Sequence, residues 1–384
     1  MNAKPVRKLM DVLNTVPDKP QALFVGGCVR NTLLGQKVED IDIATRWTPQ
    51  ETIDLCTAAG IKTVPTGLDH GMITAVVDGQ NIEITTLRKD VETDGRRAVV
   101  AFTKEWSEDA QRRDFTMNTL LADECSNVYD PTGQGMSDLE KRRVVFVGDP
   151  AQRIAEDALR VLRFFRFHGF YGAGDPDAQA LKACRAASDQ INILSRERIT
   201  QEVFKMLAHE RTASILTLMF ENNVLADLPA RTYQSKMLEH VCHFQKRYHC
   251  AAIAPRLHIL AGMNLEGVSA LQNKLLIPKV FVKDITAIDK ALSLPDLTND
   301  HAVKVAVYRY GRTAALQTLM IQLAQDRTST SYALQAIDII QNWEIPNFPI
   351  TGDDLIKAGQ TPGPELGDKL EEMETAWINR GFKR

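Results

Sequence analysis

The apolar positions change their period once along the chain. Up to about Gly148, short aliphatic and β-branched runs at 22–25, 41–44, 73–77, 82–87 and 144–147 alternate with segments of helical period. That alternation predicts strands interleaved with helices. From Pro150 onward, apolar residues recur every three or four positions, as in "EDALRVLRFFRFHGF", "SILTLMFENNVLADL", "RTAALQTLMIQLAQ" and "SYALQAIDIIQNW". This part predicts helices throughout. The expected fold is α+β: an N-terminal domain with a five-stranded mixed sheet over 1–148, then helical segments over 149–212, 213–310 and 311–384.

Composition fills in the class. A chain of 384 residues with 44% hydrophobic and 25% charged residues is an ordinary globular protein of more than one domain. No apolar stretch is long enough to predict a membrane span, and no membrane partner is expected. The opening "MNAKPVRKLMDVLNTVPDKP" reads as an amphipathic helix ended by proline, without the apolar centre of a signal peptide, so a cytoplasmic location is the expectation. The six cysteines show no CxxC pairing, and Cys242, His243, His249 and Cys250 fit no common zinc spacing. A net charge of −3 means that any nucleic acid must meet local basic patches.

Candidate chemistry concentrates in "FVGGCVRNTLLGQKVEDIDIAT". On a strand, Asp40 and Asp42 project to one side while Ile41 and Ile43 face the core. Two carboxylates so close repel each other unless a cation lies between them, and Mg²⁺ prefers oxygen ligands of this kind. For a lone DxD, a polar strand edge facing solvent is the favoured reading. Glu83, between Ile82 and Ile84, offers a third acid turned away from the core. Gly26 and Gly27 end a strand before a helix, where backbone N–H groups approach a phosphate closely. In "EDALRVLR" on one helix, Asp157 and Arg160 would be neighbours at i, i+3, either as a plain ion pair or as a group that reads a base edge. The basic run Lys141, Arg142, Arg143, with Arg153, Arg160, Arg163 and Arg166, is a candidate RNA track.

The ordered segments "GGCVRNTLLG", "DIDIAT", "RRDFTMN" at 112–118, "EDALRVLR" at 156–163 and "SRERITQE" at 195–202 resemble the class II tRNA nucleotidyltransferases, the CCA-adding enzymes of the polymerase β nucleotidyltransferase superfamily. The resemblance covers the first half of the chain and, in "TGDDLIKAGQTPGPELGDKLEEMETAWINRGF", the tail of bacterial members. It implies a nucleotidyltransferase head, a neck that recognises the base, and a body and tail that bind tRNA. It implies attack of an RNA 3′-hydroxyl on the α-phosphate of ATP or CTP with release of pyrophosphate, the acids Asp40, Asp42 and Glu83 holding two Mg²⁺ ions. Gly26, Gly27 and Arg30 would meet the β and γ phosphates. Arg113, Asp114 and Asn118 would meet ribose and triphosphate, and Asp157, Arg160 and Arg163 would select the base. Lys141, Arg142, Arg143 and Arg166 would meet the acceptor end. A monomer or weak dimer is expected.

One departure is Asn31, where the family has aspartate. Bacterial poly(A) polymerase is the nearest rival, but "TGLDHGMITAVV" at 66–77 resembles the Gly-x-x-His-Gly pattern of tRNA nucleotidyltransferases. A CC-only or A-only enzyme and a non-catalytic RNA-binding relative are further alternatives; the three retained acids oppose the last. The segment "RKDVETDGRR" at 88–97 is expected to be a loop that governs the switch from C to A.

Overall fold

The computed structural model describes residues 3–16, 19–94, 97–224 and 234–383. The chain forms two compact units, Met1–Val203 with Leu218–Leu225, and Phe204–Thr217 with Ala226–Arg384.

In the first unit α1 (Lys4–Leu13) precedes β1 (Ala22–Val25), α2 (Gly27–Leu33), β2 (Asp42–Thr45) and α3 (Pro49–Ala58). Next come β3 (Lys62–Gly67), β4 (Met72–Val77), β5 (Gln80–Thr86), β6 (Arg88–Asp94) and β7 (Arg97–Phe102). After α4 (Trp106–Gln111) follow β8 (Leu121–Ala122), β9 (Val128–Tyr129) and α5 (Gly135–Glu140). The unit continues with α6 (Pro150–Glu156), α7 (Leu159–Tyr171) and α8 (Ala178–Ala186), and the division between units falls within α9 (Arg196–Ala208) and α10 (Thr212–Glu221).

Seven strands make one sheet in the order β3-β4-β5-β2-β1-β8-β9, and β6 pairs with β7 apart from it. The sheet is mixed, since β2 and β5 run parallel and the other pairs antiparallel. Its centre lies where the sequence is most apolar: all of β1 is buried, as are Ile43 and Ala44 of β2. Asp78 and Gly79, with φ of 50° and 80°, turn β4 into β5 as a two-residue hairpin.

The expected count of five strands is corrected in both directions. β3, β8 and β9 join the sheet, while residues 144–147 make only a single bridge, Phe146 to Phe115. Thr116 N donates to Val145 O and Val147 N to Asp114 O, so the run braces the 112–118 segment instead of extending a ladder. The expected loop at 88–97 is the antiparallel β6 and β7 pair; residues 95 and 96 of it lie outside the described residues.

A ring cluster seats α7 beneath that segment. Phe115 lies 4.9 Å from both Phe146 and Phe167, and Phe146 stacks on Phe164 at 5.8 Å. Such pairs add roughly 0.5–1.5 kcal/mol each to the area they bury.

The second unit is helical among its described residues: α11 (Ser235–Arg247), α12 (Ile253–Leu260), α13 (Leu265–Lys274), α14 (Lys279–Leu292), α15 (Asp300–Ala324), α16 (Ala333–Asn342), α17 (Gly352–Lys357) and α18 (Pro364–Asn379). Its core gathers Val303, Val307, Leu319, Leu323, Ala336 and Ile340 from α15 and α16. Among the described residues no helix is long and apolar enough to cross a membrane.

Candidate active site

The parallel ladder pairs Asp42 with Glu83 in register. Opposed residues share a sheet face, so both carboxylates stand on one side while Ile43 and Ile84 are buried behind them. Asp40 precedes the first ladder residue and is exposed, so it is not held by the strand as expected. Burial and then the Glu83 charge push the Asp42 carboxyl above the usual carboxylate range; Arg113 opposes them, and Asp40 adds to the push. Among the described residues, no three His, Cys, Asp or Glu side chains form a ready metal cluster. The donor set nevertheless fits a hard divalent cation: oxygen ligands of like charge crowd together, and the nearby arginine is already engaged by Asp109.

Beside the acids, Gly26 ends β1 with φ 71° and ψ −120°, a conformation open in practice to glycine alone. Its N–H donates to Leu120 O at 3.3 Å, and a Cβ there would stand 3.4 Å from Arg113 Nη1. Gly26→Ala should therefore cost about 1–3 kcal/mol of stability and displace the turn. A melting temperature within a degree of the parent would contradict it.

Arg30 is not open for a phosphate as expected. It is only 6% exposed, donating to Asn118 Oδ1 at 2.5 Å and to Tyr171 Oη at 2.8 Å, with the Tyr171 ring 3.9 Å from its guanidinium carbon. The helix after the glycines turns this residue inward. Asn31 Oδ1 accepts from Arg30 Nη2 at 2.9 Å, and Asn31 Nδ2 donates to Lys37 O at 3.1 Å. An aspartate there keeps the first bond and lacks the donor for the second.

The 112–118 segment is tied down from both sides. Arg113 Nη2 donates to Asp109 Oδ2 at 2.8 Å, and Arg112 pairs with Asp109 Oδ1 at 2.7 Å. Asp114 is buried, accepting from Phe115 N at 2.9 Å, Asn118 Nδ2 at 2.8 Å and Arg163 Nε at 2.8 Å. Burial works against its charge, but Arg163 and these bonds win and hold its carboxyl below the usual range. Arg163 and Asp114 are thus partners to each other.

Asp157 and Arg160 do not form the expected helical pair. The helix breaks between α6 and α7: Asp157 is extended, and its Oδ1 accepts from Leu159 N at 3.1 Å, a local bond that competes with helix continuation. Asp157 Oδ2 meets Arg198 at 2.8 Å, while Arg160 Nη1 donates to Glu156 at 2.7 Å and its Nη2 to Arg112 O at 3.0 Å. Arg153 holds the carbonyls of Arg112 and Arg113. A cavity of about 750 Å³ opens beside this group, lined by Arg112, Arg153, Glu156, Lys89, Thr132 and Gln152 among others; Asp42, Glu83 and Gly26 do not line it.

Of the candidate RNA track, Lys141, Arg142 and Arg143 are exposed, Arg143 with Asp138 at 2.5 Å. Arg166 is corrected: it is 7% exposed and bonded through Nε to Glu202 at 2.5 Å, so helix α7 turns it into the unit. Asp109, Glu156, Tyr171, Arg198 and Glu202 escaped the sequence reading because each acts through a partner distant in sequence or hidden among ordinary helix charges.

Models of three known domains match the chain: the poly A polymerase head domain over 22–145, a region described as "Probable RNA and SrmB- binding site of polymerase A" over 175–232, and tRNA nucleotidyltransferase domain 2 over 251–383. The mitochondrial CCA tRNA nucleotidyltransferase 1 of Danio rerio is 34% identical across 92% of this chain and 82% of its own. The CCA-adding enzyme of Streptococcus pyogenes serotype M3 is 31% identical across 97% of this chain and 92% of its own. The chain belongs to the CCA-adding tRNA nucleotidyltransferase family. The solved CCA-adding enzyme of Bacillus stearothermophilus in complex with CTP has a TM-score of 0.76 and 25% identity, covering 99% of this chain and 94% of its own. The CCA-adding enzyme of Thermotoga maritima, complexed with tRNA, shares the fold at a TM-score of 0.67 and 19% identity, over 96% of this chain and 90% of its own.

Proposed function

We propose that this nucleotidyltransferase adds C, C and A in turn to the 3′ end of tRNA from CTP and ATP, without a nucleic-acid template. The observation that carries the reading is the in-register pair Asp42 and Glu83, two crowded acids beside the glycine turn and Arg113. Asp40, Asp42 and Glu83 would hold Mg²⁺, which when bound would acidify the 3′-hydroxyl and neutralise charge on the triphosphate. Gly26 and Gly27 bring the backbone close to the phosphates. Arg30 supports them indirectly by holding Asn118, and Asn118 in turn holds Asp114. On this reading catalysis belongs to 1–148, base recognition to 149–212, and tRNA binding to 213–310 and 311–384.

Base choice rests on Asp157 at the helix break and Arg160 in the first turn of α7, each braced by its own partner, Arg198 and Glu156. Cytosine and adenine both present an amino donor beside a ring-nitrogen acceptor. A carboxylate accepts from the first and a guanidinium donates to the second. Uracil and guanine present the reverse order, which leaves polar groups unpaired at about 1–3 kcal/mol each.

The test is purified protein with tRNA lacking its 3′ end and each triphosphate alone or combined, the products being sequenced. CTP alone should give CC, and ATP should add one A only after CC. A run of A from ATP alone would identify a poly(A) polymerase instead. Arg160→Ala should lower kcat/KM for CTP and ATP and raise relative use of UTP or GTP by about tenfold. Unchanged ratios among the four triphosphates would remove Arg160 from base selection and leave the transferase reading standing.

A further inference from the structure

The second unit contains a buried arginine that no acid neutralises. Arg256 on α12 is 3% exposed. Its Nε donates to Gln245 Oε1 at 2.8 Å, and its Nη1 to Leu207 O at 2.6 Å and His209 O at 3.0 Å. Gln245 is itself fixed, its Nε2 donating to Gln317 Oε1 at 2.8 Å, and Gln317 Nε2 donates to Cys250 O at 2.9 Å. These bonds leave Arg256 Nη2 without a partner among the described residues. No described carboxylate lies in ion-pair contact with Arg256, and its charge is felt instead by His209, Cys242 and Cys250.

The carbonyls satisfy hydrogen bonds but not the charge. The C-terminal end of α9 supplies about half an elementary charge at most, so a net positive field remains in a region shielded from water. That field faces an opening. A cavity of about 360 Å³ is lined by Arg256 and Gln317, by Ala251, Ala252, Ala314, Ile288 and Phe281, and by Asp284 and Thr313 among others. Its size matches a small ligand, its walls are mainly apolar, and its one deeply buried charge is a pre-oriented guanidinium. Asp284 shares the wall, but it is half-exposed and makes no ion pair with Arg256.

We propose that this cavity binds a small organic anion, a carboxylate or phosphate monoester with an apolar body, its charged head on Arg256 Nη2 and its body against the alanines, Ile288 and Phe281. The site lies wholly within the second unit and shares no residue with the acids, the glycine turn or the base-reading group. It is therefore independent of the proposed transfer chemistry. The shape favours a compact molecule over the sugar–phosphate backbone of RNA, which would bring ribose and further charge to apolar walls.

The test titrates the full-length protein with phenyl phosphate, inorganic phosphate and the neutral benzamide, followed by calorimetry. Phenyl phosphate should bind saturably, and benzamide about tenfold more weakly or worse, for want of a charge-assisted bond. Inorganic phosphate should also be weaker, lacking the apolar body. Ala251→Trp, at an exposed position of the lining, should abolish phenyl phosphate binding with the melting temperature unchanged. Asp284→Asn should tighten binding several-fold, and Arg256→Met should lose it. The proposal is overturned if benzamide or inorganic phosphate binds as well as phenyl phosphate, or if binding survives Ala251→Trp. It is equally overturned if tRNA displaces phenyl phosphate completely, because the position would then be one for backbone phosphate.

Discussion

Asp42→Ala should abolish nucleotide addition while tRNA binding persists. On the proposed mechanism several kcal/mol of transition-state stabilisation would depend on the acid pair, which corresponds to a loss of about a thousandfold or more in kcat at about 1.4 kcal/mol per factor of ten. RNA affinity arises mainly from phosphate contacts elsewhere. The substitution should not destabilise the protein, because the ionised Asp42 sits against Glu83 and Asp40 in a half-buried site. The sign follows from the raised folded-state value: the folded protein holds the Asp42 proton more tightly than the unfolded chain does. This contribution is fully present below the ordinary carboxylate value and lost as pH rises through the raised one. Asp42→Ala should therefore melt at or above the parent temperature at neutral pH in the absence of divalent metal. Near-normal addition by the variant, or a fall of several degrees in melting temperature, would contradict the assignment.

Asp114→Ala should have the largest effect on stability. It removes one carboxylate, leaving the Asn118 amide without its acceptor and Arg163 with only the more distant Glu202, at 3.9 Å. Breaking a buried pair in this way costs about 3–5 kcal/mol, or roughly 6–20 °C in the melting of a unit this size. Asp114 is held below the usual range when folded, so its contribution is present above the ordinary carboxylate value and disappears as pH falls through the lowered one. The deficit of the variant should therefore shrink in strong acid. Thermal melts of both proteins across the acid range check this; a constant difference would mean that packing, not charge, carries the loss.

Much of the head was legible because its central strands are also its most apolar runs. β1, β2, β4 and β5 each carry buried aliphatic residues, and Glu83 interrupts Ile82 and Ile84 where a half-buried strand needs alternation. β3 was not legible: its "KTVPTG" is almost entirely exposed and holds a proline, tolerable only at the sheet edge where the strand order places it. The two-residue β8 and β9 are too short to carry a period. The α6 to α7 break was hidden because apolar spacing continues across it, and only a side-chain bond from Asp157 reveals it. Arg30 read as a phosphate ligand and Arg166 as an RNA contact, and both are buried. A motif gives residue types in order, whereas burial depends on partners such as Tyr171 and Glu202 that lie far along the chain.

The parallel pairing of β2 with β5 also bears on when the protein becomes competent during its own synthesis. The β4 and β5 hairpin closes over two residues and can zip locally, whereas β5 reaches β2 only by a long-range closure. Glu83 therefore arrives opposite Asp42 as part of a preformed hairpin, and the two acids meet only in the slower step of sheet assembly. A chain emerging from the ribosome gains its acid pair with that closure. A change that loosens the hairpin turn, such as Gly79→Val, should lower the yield of active molecules and slow their appearance on refolding, while each molecule that completes the sheet turns over at the parental rate.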